Sequence, residues 1–169
     1  MVIVIDPQIA GISGDMLLCS LVDLGADKNQ IVEGIKKIEK FLPDSKINKI
    51  DFQKIQKNGI ESTELILEID EKISERKGVE IKNAIINSVN ELQLSDKART
   101  FAESCINSLI SSESKIHGIS EDSVHFHEAS SIDTLVDIVG VTIACEKLKL
   151  FEEKIVCLPV SVGCGTVSF

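Results

Sequence analysis

The sequence predicts an α+β fold: a βαββαβ, ferredoxin-like arrangement in which a mostly antiparallel sheet carries additional helices on one face. Three observations point there. β-Branched runs stand near both ends of the chain, an alternating pattern occupies residues 47–69, and the segments between them place apolar residues at helical spacing. With 169 residues and 43% hydrophobic content, the chain can bury one substantial core, so residues 1–169 are expected to form a single domain.

Val2 to Ile5 is a short β-branched run ended by Asp6-Pro7, which predicts a buried strand, and Gly11 to Gly14 then turns into a helix beginning near Asp15. From Asn29 to Phe41, Ile31, Ile35 and Ile38 keep helical spacing until Pro43 stops the run. Two alternating stretches, Ile47 to Lys57 and Thr63 to Ile69, flank Asn58-Gly59 and predict a hairpin. The lysines of its first strand suit a sheet edge that must discourage pairing with other chains. Helices are expected over Val79 to Leu92 and Ser95 to Ser112, the second capped by Ser95, followed by a loop that contains Gly118 and carries the histidines. Ser131 to Leu148 predicts a further helix, and Lys154 to Val162 a last strand running into a Gly-Cys-Gly turn.

Composition removes several function classes. With 18 basic and 27 acidic residues the net charge is −9, which opposes binding to nucleic acid and to anionic membrane surfaces. Aromatic residues are only 4%, with no Trp or Tyr, so a stacking platform for single strands is missing as well. The apolar start MVIVID meets an aspartate too soon for a signal or a membrane span. An odd set of 5 cysteines without a CxxC pair fits a reducing cytoplasm.

All three histidines fall close together: His117, His125 and His127, with Glu128, Asp133 and Asp137 beside them. Imidazole and carboxylate donors suit nickel, zinc, copper, iron and manganese, so the pattern names a class of ion. In an extended segment His125 and His127 project to one side while Phe126 packs on the other. Asp133 and Asp137 share one helix face, and that stripe continues through the small residues Gly140 and Ala144. The rest of this helix is apolar around its circumference, so buried carboxylates there need a cation, a basic group or a helix N-terminus. The ordinary alternative makes Asp133 a first-turn acid, Asp137 a partner of a backbone group, and the histidines polar loop residues.

Gly11-Ile12-Ser13-Gly14-Asp15-Met16 joins a strand to a helix, where free backbone N–H groups can receive a phosphate or carboxylate. Neither GxxxxGK[ST] nor GxGxxG is present, so the alternative is a capped turn with Ser13 as N-cap. Asp6 and Asp15 can also face the crevice that the histidines occupy.

Together IDPQIAGISGDMLL and HGISEDSVHFHEASSIDTLVDIVG resemble the LarC family of nickel insertion proteins, over the whole chain in order. The resemblance implies a lyase-class nickel chelatase that inserts nickel into pyridinium-3,5-bisthiocarboxylic acid mononucleotide, with CTP and manganese or magnesium, to make a nickel-pincer cofactor. It places Asp6, Ser13, Gly14, Asp15, His117, His125, His127, Glu128, Asp133 and Asp137 on the family's motif positions. Ala129-Ser130-Ser131-Ile132 departs from the family's usual V-G-A-V. Family chains also continue beyond the stretch matched by Gly163 to Val167, so this chain is expected to be the amino-terminal metal-site domain, with CTP bound by a carboxyl-terminal domain or subunit.

The leading expectation is that His125 and His127, with His117 or Glu128, hold nickel, and that Asp133 and Asp137 orient the imidazoles or complete the coordination. Ser13 and Gly14 would receive the phosphate of a nucleotide-like substrate, with Asp15 and Glu128 as the acid–base groups. Cys157 or Cys164 offers a passing thiolate, against the plainer reading of buried inert thiols. Two alternatives use the same residues: a divalent-metal hydrolase with Glu128 as general base, or a non-enzymatic metal-binding domain that docks a partner. A homo-oligomer is compatible with each.

Overall fold

The computed structural model describes residues 2–127 and 131–163. Its elements run β1 (Val2–Ile5), α1 (Gly14–Asp23), α2 (Lys28–Ile38), β2 (Ser45–Lys57), β3 (Ile60–Glu71), β4 (Arg76–Lys77), α3 (Gly78–Glu91), α4 (Asp96–His117), β5 (His125–Phe126), α5 (Ile132–Lys147) and β6 (Lys154–Cys157). The α+β class holds. The single mostly antiparallel sheet does not appear among the described residues, whose strands form three separate pairs: β1–β6 parallel, β2–β3 antiparallel and β4–β5 antiparallel.

The reason lies in α5. Ile132, Leu135, Val136, Val139, Val141, Ile143 and Ala144 are all buried, so apolar side chains cover most of its circumference. Such a helix needs neighbours on nearly every side, and α1, α2, α3 and α4 all pack on it. The centre of the core is therefore a helix, with the strand pairs around it. Two hydroxyls buried in this interior, Ser88 and Thr142, are satisfied by donating to the carbonyls of Ala84 and Ile138, one turn back.

Close packing at α5 depends on small residues, as the Gly140–Ala144 stripe predicts. A Cβ on Gly140 would lie 2.8 Å from Leu18 Cδ2 of α1, so α1 and α5 approach more closely than a larger residue allows.

The hairpin forms around Asn58 and Gly59, both with positive φ (53° and 79°), the geometry a two-residue turn requires. Its strands are longer than the alternation alone predicts because Ile60 to Ser62 and Asp70 to Glu71 continue the ladder. By contrast, β6 ends at Cys157 rather than Val162: Leu158 still donates to the Ile5 carbonyl, but the next donor due from the β1 side is Pro7, which has no N–H to carry the ladder on. Ser95 caps α4 by accepting from the Ala98 amide at 3.3 Å. That helix runs to His117, five residues past the expected end, and stops at Gly118 in the left-handed region (φ 64°). His117 therefore sits on a helix end and not in a loop. No described helix is long and apolar enough to cross a membrane.

Candidate functional site

The glycine loop delivers α1 directly onto the acidic face of α5. Ser13 occupies the N-cap position with extended backbone, yet its hydroxyl does not cap; it donates to Asp15 Oδ1, which also accepts the Met16 amide at 2.8 Å. Gly14 touches the Asp137 side chain so closely that any Cβ there would overlap its carboxyl carbon. Glycine is thus needed at this position for contact, not for a special φ.

Three carboxylates gather around that contact. Burial raises the Asp137 carboxyl to about 7, and the nearby charges of Asp15 and Asp133 push it the same way. Asp133 lies one turn earlier on α5 and accepts the Thr134 amide at 2.6 Å. An acid held this way exchanges its proton near neutral pH, and a divalent cation would compete for the same oxygens.

A stability effect follows. In the unfolded chain Asp137 returns to its ordinary 3.8, so between about pH 4 and pH 7 the folded protein holds a proton that the unfolded chain has released. Its contribution is complete below pH 4 and is lost as pH rises through 7. In metal-free protein, Asp137→Asn is expected to raise the melting temperature at pH 7.5 by roughly 2–6 °C and to match the parent at pH 4. Thermal melts at the two pH values check this, and an Asn variant that melts lower at pH 7.5 would refute it.

The histidines stand on a different support. Strand β5 pairs with β4 so that Arg76 faces Phe126 and Lys77 faces His125. Phe126 is buried, whereas His125 and His127 are exposed, which realises the expected alternation. The His125 Nδ1 lies 2.9 Å from the Ser123 carbonyl. A carbonyl only accepts, so Nδ1 carries the proton and the Nε2 lone pair is left for a ligand. His127 Nδ1 lies 3.8 Å from Glu75 Oε2, and His117 Nε2 lies 3.3 Å from Glu113 Oε2 across one turn of α4.

The acids and the histidine strand are tied together by a network absent from the sequence reading. Glu71, at the end of β3, accepts the Ser131 hydroxyl (2.9 Å) and the Ile132 amide (2.7 Å), and so caps the start of α5 from another element. Its other oxygen accepts the Ser45 hydroxyl (2.6 Å) and meets Arg76 Nη1 at 3.3 Å. Arg76 is almost fully buried and also donates to Ser45 through Nη2 at 2.6 Å. Burial alone would raise the Glu71 carboxyl; the Ile132 amide, the Ser45 and Ser131 hydroxyls and the Arg76 charge together hold it below its ordinary value. The one available signal was an arginine in a chain whose basic residues are mostly lysine, since guanidinium suits buried ion pairs.

Of the residues singled out in the sequence, the structure brings Ser13, Gly14, Asp15, Asp133 and Asp137 together around one helix junction. Among the described residues it does not gather three or more His, Cys, Asp or Glu side chains into a ready metal cage. Glu128 lies outside the described residues. Asp6 is engaged with the Gln8 amide and lines a cleft along β1, while Asp15 lines a second cleft beside Cys19 and the hairpin. Burial pushes the Cys19 thiol up to about 11, so it is protonated at neutral pH; Cys157 is exposed, and Cys164 lies outside the described residues.

A family model described as nickel insertion protein matches residues 3–169. The chain belongs to that family. A putative nickel insertion protein of Methanothermobacter thermautotrophicus is 29% identical over 167 residues, covering 99% of this chain and 39% of the relative. One from Methanopyrus kandleri is 34% identical, covering 99% and 40%. A pyridinium-3,5-bisthiocarboxylic acid mononucleotide nickel insertion protein of Staphylococcus saprophyticus is 35% identical over 158 residues, covering 94% and 38%. The chain thus spans about two-fifths of the length of these relatives. No solved structure matches it.

Proposed function

We propose that this chain is the metal-handling part of a nickel insertion protein and passes nickel to a pyridinium-3,5-bisthiocarboxylic acid mononucleotide as a lyase-class chelatase. The observation that carries this is the exposure of His125 on β5 and of His127 just past it, with the His125 Nδ1 proton committed to the Ser123 carbonyl. Nickel is the cargo. His125 Nε2 and the His127 ring receive it, with His117 or Glu128 as a further donor and Asp133 and Asp137 beyond them. Nitrogen and oxygen donors hold nickel less tightly than the paired sulfurs of the acceptor, which gives transfer its direction.

The α1 N-terminus receives the substrate's phosphate at Ser13 and Gly14. A single phosphate carries about two negative charges, and Asp15 and Asp137 face the same place. A divalent cation between phosphate and carboxylates balances both. The loop does not fit a bare triphosphate, because these acids oppose the greater charge, so CTP with manganese or magnesium is assigned to the carboxyl-terminal part of the relatives' length. Free thiols at Cys19, Cys105, Cys145 and Cys157 support a cytoplasmic setting.

Equilibrium dialysis against nickel, compared between the parent and His125→Ala/His127→Ala, tests the ligand assignment. The double variant is expected to bind nickel at least about 10–100-fold more weakly. Unchanged affinity and stoichiometry would end the assignment.

A further inference from the structure

The β1–β6 pair is open in a way that parallel strands rarely are. Parallel sheets are covered on both faces, yet this one has two strands, and Val2 and Val4 are each 59% exposed. The Leu158 amide donates to the Ile5 carbonyl, so the polar groups of Ile5 face β6. Strand alternation turns those of Val4 the other way, toward an edge where no described strand lies. Along that edge runs a cleft of about 450 Å³ lined by Ile3, Val4, Met16, Leu21 and Leu24, with no contribution from β6. A free edge beside an apolar trough has the shape of a strand-addition site.

We propose that the polypeptide corresponding to the remaining three-fifths of the relatives' length docks here, laying a strand along the free edge of β1 and apolar side chains into the trough over Met16, Leu21 and Leu24. Two observations select this occupant. The relatives carry well over half their length outside the matched region, and a net charge of −9 opposes a second copy of this chain. The inference rests on the proposed function only in taking this chain to work together with that remainder. It assigns the face at which the two meet, the cleft along β1, which shares Met16 and Ser20 of α1 with the cleft beside the hairpin.

Hydrogen exchange tests it. The chain alone is compared with a chimera that continues into the part of the Methanothermobacter thermautotrophicus relative beyond its matched residues. The Val4 amide is expected to exchange at least tenfold more slowly in the chimera. Val4→Glu/Leu24→Glu in the chimera should restore fast exchange there while the amides of α5 keep their protection, which shows that the fold survives. The same measurement on the intact relative, at the strand matching Val2–Ile5, gives the answer without an engineered junction. Equal Val4 exchange in both forms overturns the proposal, and so does a slowly exchanging Val4 in a chain that sediments alone as a dimer. Protection of β1 without nickel transfer would uphold the docking face and sink the functional reading; nickel transfer with β1 unprotected would do the reverse.

Discussion

Glu71→Ala is expected to cost about 3–5 kcal/mol, the largest single effect in the protein. The carboxylate is an anionic partner of a guanidinium that is 2% exposed, and removing it takes that ion pair from a site closed to water. It also takes the acceptor from the Ile132 amide and the Ser131 hydroxyl, so the start of α5 loses its cap in the same step. Against a typical total stability of about 5–15 kcal/mol, much of the margin would go. Glu71→Gln separates the causes, because its amide oxygen still accepts from Ile132 and Ser131 while the charge is gone. Urea unfolding of both variants should place Gln between parent and Ala; an Ala variant within about 1 kcal/mol of the parent would show that the network does not hold the site.

Gly14→Ala is expected to destabilise by about 1–3 kcal/mol and to weaken cation binding at the acids. The new methyl group meets the Asp137 carboxyl, whose helix is gripped by its neighbours and cannot retreat. The test is a double-mutant cycle. Gly14→Ala/Asp137→Ala removes the obstructing carboxyl, so the pair should be more stable than the sum of the single changes by about 0.5–3 kcal/mol. Strict additivity would mean that Gly14 matters for a reason other than this contact.

How much was legible in the sequence differs from element to element. The apolar circumference of residues 132–147 announced a buried helix, and Asn58-Gly59 announced the hairpin; both signals are local. Pairing of Val2 with Lys154 is not local, and nothing near either residue names its partner, so the sheet arrangement escaped. The end of α4 escaped for another reason. Its last turn, Ser114 to His117, holds one apolar residue, the exposed Ile116, which continues no buried stripe, and only the left-handed Gly118 marks the stop. At the site, the small-residue stripe of α5 foretold a close approach, which Gly140 makes with Leu18; the contact of Gly14 with Asp137 was not legible, because the loop reads locally as an anion-binding or capped turn. Glu71 carried no signal and Arg76 only that of an arginine among lysines, because each otherwise resembles an ordinary charged residue at a strand end, and only the fold buries them.

The two halves of the site differ in compliance. Asp133 and Asp137 ride on a helix clasped by four others and anchored at its first residue, so their oxygens form a stiff wall. His125 and His127 hang from a two-residue strand with two ladder positions, an element that opens at little cost. Under the proposed function, a carrier built this way would bend on its imidazole side while its carboxylates keep their place, letting the cargo swing out without loosening the core.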